Sequence, residues 1–151
     1  MRAGALLAVA LVVTGCGAGM WASVPVTGSD ASLMSLAGTW EGTVEGTSPG
    51  SKGVIQFELS QGSRYAVGQV VFNASDPAKA ATVPLRQVDA ADDGKIVGVM
   101  GPYFEPQSKV QVQTRFVGER QGNTISGTFT TRPMDTTDQT QTGRWQMTKK
   151  L

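Results

Sequence analysis

Gly38-Thr39-Trp40-Glu41-Gly42 is the stretch on which the fold of this 151-residue chain turns. It follows a long run of small and polar residues. Counting in twos places Trp40, Gly42 and Val44 on one face of a strand and Thr39, Glu41, Thr43 and Glu45 on the other. One face is apolar and the other wet, the pattern of a half-buried antiparallel strand. A tryptophan buries roughly 200 Å², so Trp40 is suited to plug the bottom of a small barrel. Gly38 and Gly42 are expected to leave it room and to let the strand bend.

From that first strand, Thr39–Glu45, the same alternation continues to the end of the chain. Further strands are expected at Lys52–Ser60, Arg64–Asn73, Thr82–Val88, Lys95–Met100, Lys109–Gly118, Thr124–Arg132 and Gln141–Lys149. Turn signals separate them, with Asp92-Asp93-Gly94 the clearest, since Asp-Gly accepts the positive φ of a hairpin turn. Pro84 suits an edge, a strand start or a bulge. Gly101-Pro102-Tyr103-Phe104-Glu105-Pro106 reads as a loop that brings Tyr103 and Phe104 to a rim, where they could cover a cavity, contact a partner or touch lipid. Nothing between strands is long enough for a crossover helix. The expectation is an all-β domain over residues 37–151, a single antiparallel up-and-down barrel of about eight strands, with a β-sandwich as the alternative. Such a barrel is filled by side chains or holds one small ligand. Trp40, Phe57, Tyr65, Phe116, Phe129 and Trp145 point inward by alternation and are the candidate cavity residues.

The chain begins with an address. Arg2 precedes an apolar run, Ala3–Val13, too short to span a bilayer as a helix. Small residues then lead to Cys16, so residues 1–15 read as a secretory signal peptide. Val13-Thr14-Gly15-Cys16 resembles the lipobox of bacterial lipoproteins. The resemblance implies diacylglyceryl transfer to the Cys16 thiol, cleavage before Cys16 and acylation of the new amino group. Acyl chains at about 0.8 kcal/mol per buried methylene hold a protein on a membrane once two or more are present. Gly17 and Ala18 lack the aspartate used for inner-membrane retention in two-membrane cells, which favours the outer membrane there. Residues 16–36 are expected to form the lipidated cysteine and a flexible tether, with one short helical turn over Ser32–Leu36.

Composition excludes several activities. Without Arg2, twelve Lys and Arg face twelve Asp and Glu, and no basic run offers a nucleic-acid footprint. No histidine is present, which removes Ser-His-Asp and Cys-His catalysis and most zinc sites. Cys16 is the lone cysteine, so no intramolecular disulfide can form. Glu41, Glu45 and Glu58 fall on outward faces. Asp89, Asp92 and Asp93 match no complete calcium loop, and Asp135 and Asp138 read as turn residues. The residues imply no catalytic group, cofactor or metal.

Gly38-Thr39-Trp40 resembles the Gly-x-Trp start of the calycin-like barrels, meaning lipocalins, fatty-acid-binding proteins and avidins. Arg144-Trp145 in the last strand is similar to the lipocalin packing of a C-terminal basic side chain over the first-strand tryptophan. No biotin-site residues can be carried over. The resemblance implies a small bacterial lipoprotein with a lipocalin-like domain, anchored to the cell envelope. The expected role is non-catalytic binding of a small apolar ligand. The alternative is a structural or protein-interaction module of the envelope with a filled barrel.

Overall fold

The computed structural model describes residues 22–48, 51–135 and 140–151. The expected signal peptide, Cys16, Trp21 and Asp138 lie outside the described residues. Nine strands and one helix follow in order: β1 (Ser23–Thr27), α1 (Asp30–Leu36), β2 (Gly38–Gly46), β3 (Lys52–Leu59), β4 (Tyr65–Phe72), β5 (Ala81–Ala90), β6 (Lys95–Phe104), β7 (Gln111–Gln121), β8 (Thr124–Pro133) and β9 (Gln141–Lys149). They form a closed barrel in the order β1-β4-β3-β2-β9-β8-β7-β6-β5, with β4 also paired to β5. From β2 to β9 each strand is antiparallel to the next, as the alternation implies.

The ninth strand is the main departure. The tether expected over residues 16–36 is folded from Ser23 onward. β4 and β5 pair only over Gln69–Phe72 and Ala81–Pro84. Pro84 has no amide hydrogen with which to extend that ladder, and the two strands part there. β1 fills the opening, antiparallel to β4 (Ser23 opposite Val67, Pro25 opposite Tyr65) and parallel to β5 (Val26 opposite Val88). The barrel is therefore mixed. Val24 and Val26 are buried while Ser23, Pro25 and Thr27 are exposed. That alternation is the signal for β1, hidden by its five-residue length and its central proline.

α1 closes the base. Ser29 caps it, its hydroxyl accepting from the Ser32 amide at 3.1 Å, and Leu33 and Leu36 face the core. Tight turns at residues 60–64, 91–94 and 122–123 share this end. The longer connections, which follow β2, β4, β6 and β8, depart from the other end, the rim.

Three further expectations change. The predicted loop after Met100 is strand: β6 runs to Phe104, with a register shift between Met100 and Tyr103. Tyr65 is exposed rather than inward. β4 instead turns Ala66, Gly68 and Val70 inward. The interior there is already occupied, since a Cβ on Gly68 would lie 2.7 Å from Leu85 Cδ1. The strand meets large neighbours by presenting its small residues, the reverse of what side-chain size indicates. The strand expected from Lys109 is also shorter, and Val110 is exposed, because β7 begins only at Gln111.

Truncating the base plug should be costly. Leu36→Ala is expected to lose about 2–5 kcal/mol in urea unfolding, whereas Met34→Ala, on the exposed side of the same helix, should stay within about 0.5 kcal/mol of the parent.

Candidate functional site

Five of the six aromatic residues expected to line a cavity do point inward. Trp40, Phe57, Phe116, Phe129 and Trp145 are all buried, and only Tyr65 is outside. They pack as a solid. The Phe116 ring lies 5.7 Å from Phe129 and meets Trp145 edge-on at 5.8 Å. The Trp145 indole N–H donates to the carbonyls of Val117 and Thr128 at 3.2 and 3.1 Å. Its ring lies against Gly118, where a Cβ would come within 2.5 Å of it. Aromatic bulk is accommodated because neighbouring strands supply glycine.

At the base, the Trp40 N–H donates to the Leu36 carbonyl at 2.8 Å. The cation over its ring belongs to Lys149, whose Nζ lies 5.6 Å from the ring centre. Arg144, expected in that place, pairs with Glu45 near the rim and faces outward. The strand register decides this: Trp40 is opposite Lys149, and Val44 is opposite Trp145. Gly38 makes room for Lys149 rather than for Trp40, since a Cβ there would meet Lys149 Cε at 2.5 Å.

Near the rim the interior turns polar. The Tyr103 and Thr114 hydroxyls share a hydrogen bond of 2.9 Å, and Thr114 and Thr131 share one of 2.7 Å. Thr114 and Thr131 are buried. Burial pushes the Tyr103 phenol above its ordinary pKa, and the Thr114 hydrogen bond opposes the shift. The Tyr103 ring stacks with Phe72 at 6.2 Å and the two close the interior from above. The space left among Phe72, Met100, Tyr103, Thr114, Phe116 and Phe129 is about 20 Å³, enough for a single water. Tyr103 thus serves the lid, while its neighbour Phe104 points away and is 67% exposed. Thr114 and Thr131 could not have been singled out, because threonine is equally at home on the wet face of a strand.

Outside the barrel, an open trough of about 650 Å³ runs beside Glu45, Thr128, Thr130 and Arg144. Glu45 bonds Lys52 at 2.9 Å and Glu41 bonds Lys150 at 3.0 Å, and Glu58 is exposed.

The aspartates Asp89, Asp92 and Asp93 have structural partners. Thr27 donates to Asp89 and Ser29 to Asp92, and Ser32 Oγ donates to Asp92 at 2.7 Å. Asp93 accepts from the Lys95 amide at 3.1 Å and pairs with its ammonium at 3.2 Å. Arg64 completes the latch, bonding the Gly28 carbonyl at 3.2 Å and Asp30 at 2.7 Å. Among the described residues no group of three or more His, Cys, Asp or Glu could hold a metal ion. No described helix is long and apolar enough to cross a membrane, which says nothing of crossing by strands.

No protein-family model matches the chain, and no curated protein sequence matches it. The fold and interior define the class: a closed, filled β-barrel with a helix-plugged base.

Two measurements probe these contacts. Tyr103→Phe should cost about 0.5–1.5 kcal/mol, the usual loss for one hydrogen bond. Hydrogen bonds from Ser29 and Ser32 hold the Asp92 carboxyl below its ordinary pKa. The folded state then binds fewer protons than the unfolded state, so this contribution is complete above about pH 4 and is lost as the pH falls through the lowered value. Asp92→Ala should show a shallower acid-induced fall in unfolding midpoint than the parent.

Proposed function

We propose that this protein is a non-catalytic, lipid-anchored module of the bacterial cell envelope that works through its outer surface. The observation that carries this reading is the space of only about 20 Å³ left beneath Phe72 and Tyr103. Pockets for small ligands measure roughly 300 Å³ or more. A barrel filled by Phe116, Phe129, Trp145 and Met100 offers a rigid scaffold instead, and its wall and rim are what it presents to other molecules. The absence of histidine and the outward, separately engaged carboxylates support a role without catalysis. The signal-peptide pattern and the lipobox ending at Cys16 support export and anchoring, with the outer membrane as the destination in a two-membrane cell. The resemblance of Gly38-Thr39-Trp40 to a lipocalin-like start agrees with the plugged base, where Lys149 supplies the cation.

A second reading keeps the small apolar ligand. It is favoured by the hydroxyl line Tyr103, Thr114 and Thr131 beneath the rim, which would orient a ligand if Phe72 and Tyr103 swung aside.

Native mass spectrometry separates the two. The chain from residue 16, carrying Cys16→Ser, is expressed in the periplasm and then exposed to a bacterial lipid extract. The bare protein mass is expected in both samples. A reproducible adduct that is lost on denaturation would overturn the surface-module reading in favour of the ligand.

A further inference from the structure

The place where the chain enters the barrel wall limits how the protein can sit on a membrane. β1 runs from mid-wall down to the base, because it is antiparallel to β4 and Ser23 stands opposite Val67. The preceding residues leave from its upper end, at the level where β4 and β5 begin to pair. Ser23 is exposed and the interior behind it is filled.

Cys16 is seven residues before Ser23. Whatever path those residues take, Cys16 can be no more than about 25 Å from Ser23. The rim is close to that exit. From Val67 to Phe72 is about 17 Å of strand, or roughly 13 Å along the axis of a tilted barrel. The top of β6 lies two strand spacings to the side, about 10 Å. The base is further once α1 is counted. The chain would have to reverse, cover about 10 Å along the same axis beside β1 and then pass the roughly 10 Å thickness of α1. That takes about 20 Å of a reach of about 25 Å before an acyl chain could enter a bilayer.

The rim above β6, β7 and β8 also carries exposed apolar side chains. Phe104, Met134 and Val110 are 67%, 48% and 42% exposed. They are neighbours in the ladder: Phe104 is opposite Gln111, the Met134 amide donates to the Gln111 carbonyl, and the Glu105 amide donates to the Val110 carbonyl, each at 2.9 Å in the two hydrogen bonds. Exposed Pro102 adjoins them. Aromatic and apolar side chains of this kind settle at the headgroup level of a bilayer.

We infer that the rim formed by Phe104, Val110 and Met134 rests on the bilayer that holds the Cys16 lipid, with the α1 base turned away. The inference rests on acylation of Cys16. The short leash keeps the rim at the surface, and three side chains that would bind lipid weakly alone do so at high effective concentration.

The test uses the full chain, expressed with its leader and extracted in detergent. Intact mass reads the acylation of Cys16 independently of orientation. Because a lipid caps the Cys16 thiol, Phe104→Cys and Gln121→Cys each provide one reactive thiol, at the rim and at the base, for an environment-sensitive fluorophore. The labelled proteins are placed in phosphatidylcholine vesicles containing nitroxide-labelled lipid. The expected result is an acylated mass, with the F104C label shifted to the blue and losing most of its emission while the Q121C label keeps its own. M134C repeats the rim reading on the adjoining strand should F104C not accumulate. An acylated protein whose rim label is unquenched overturns the orientation, and so does one whose base label is quenched equally. A blue shift at the rim without quenching means that the rim packs on protein, which also overturns it. A mass without acyl chains removes the anchor, and the orientation falls with it.

Discussion

A barrel is free of exposed strand edges only if every strand finds a partner on both sides, and here that condition is hardest to meet between β4 and β5. They pair over four residues each and then diverge at Pro84. Left open, the gap would expose unpaired backbone groups and the core behind them, a template for pairing with other chains. β1 fills it with two buried valines, Val24 and Val26. Its lower end is held by side chains rather than by more strand: Thr27 on Asp89, Ser29 and Ser32 on Asp92, and Gly28 and Asp30 on Arg64. The acidic turn Asp92-Asp93-Gly94 is therefore both a hairpin and a receptor for the helix that follows β1.

The interior obeys a volume constraint. Two tryptophans and three phenylalanines occupy it, so the facing strands contribute glycine where ring meets backbone. Gly118 lies under the Trp145 ring and Gly68 under Leu85 and Phe57. Interiors are packed as densely as organic crystals, and this one leaves room for about one water near the Tyr103–Thr114–Thr131 hydroxyls. A filled core makes the barrel stiff and shifts functional interest to its surface. The rim differs from the base in this respect: the base is sealed by α1, Trp40 and Lys149, while the rim ends in longer connections and the exposed Phe104.

β1 joins these two themes. It completes the barrel wall, and it is also the segment to which the chain from Cys16 leads.

Eight of the nine strands were legible in the residues, because alternation and turn chemistry are local: Gly38-Thr39-Trp40, Asp92-Asp93-Gly94 and the run Gln141–Lys149 each carry their own signal. The inward direction of Trp40, Phe57, Phe116, Phe129 and Trp145 followed from the same period. What the sequence could not settle depends on partners distant along the chain. Tyr65 faces outward because Leu85 and Phe57 already fill the space beneath Gly68. Lys149 rather than Arg144 covers Trp40 because the β2–β9 register sets them opposite one another. Ser23–Thr27 resembles a linker until the gap between β4 and β5 exists to receive it. Local pattern determines which residues extend and which faces are apolar. Register, interior volume and the closing strand are properties of the assembled barrel, since each depends on which distant segment occupies the adjoining space.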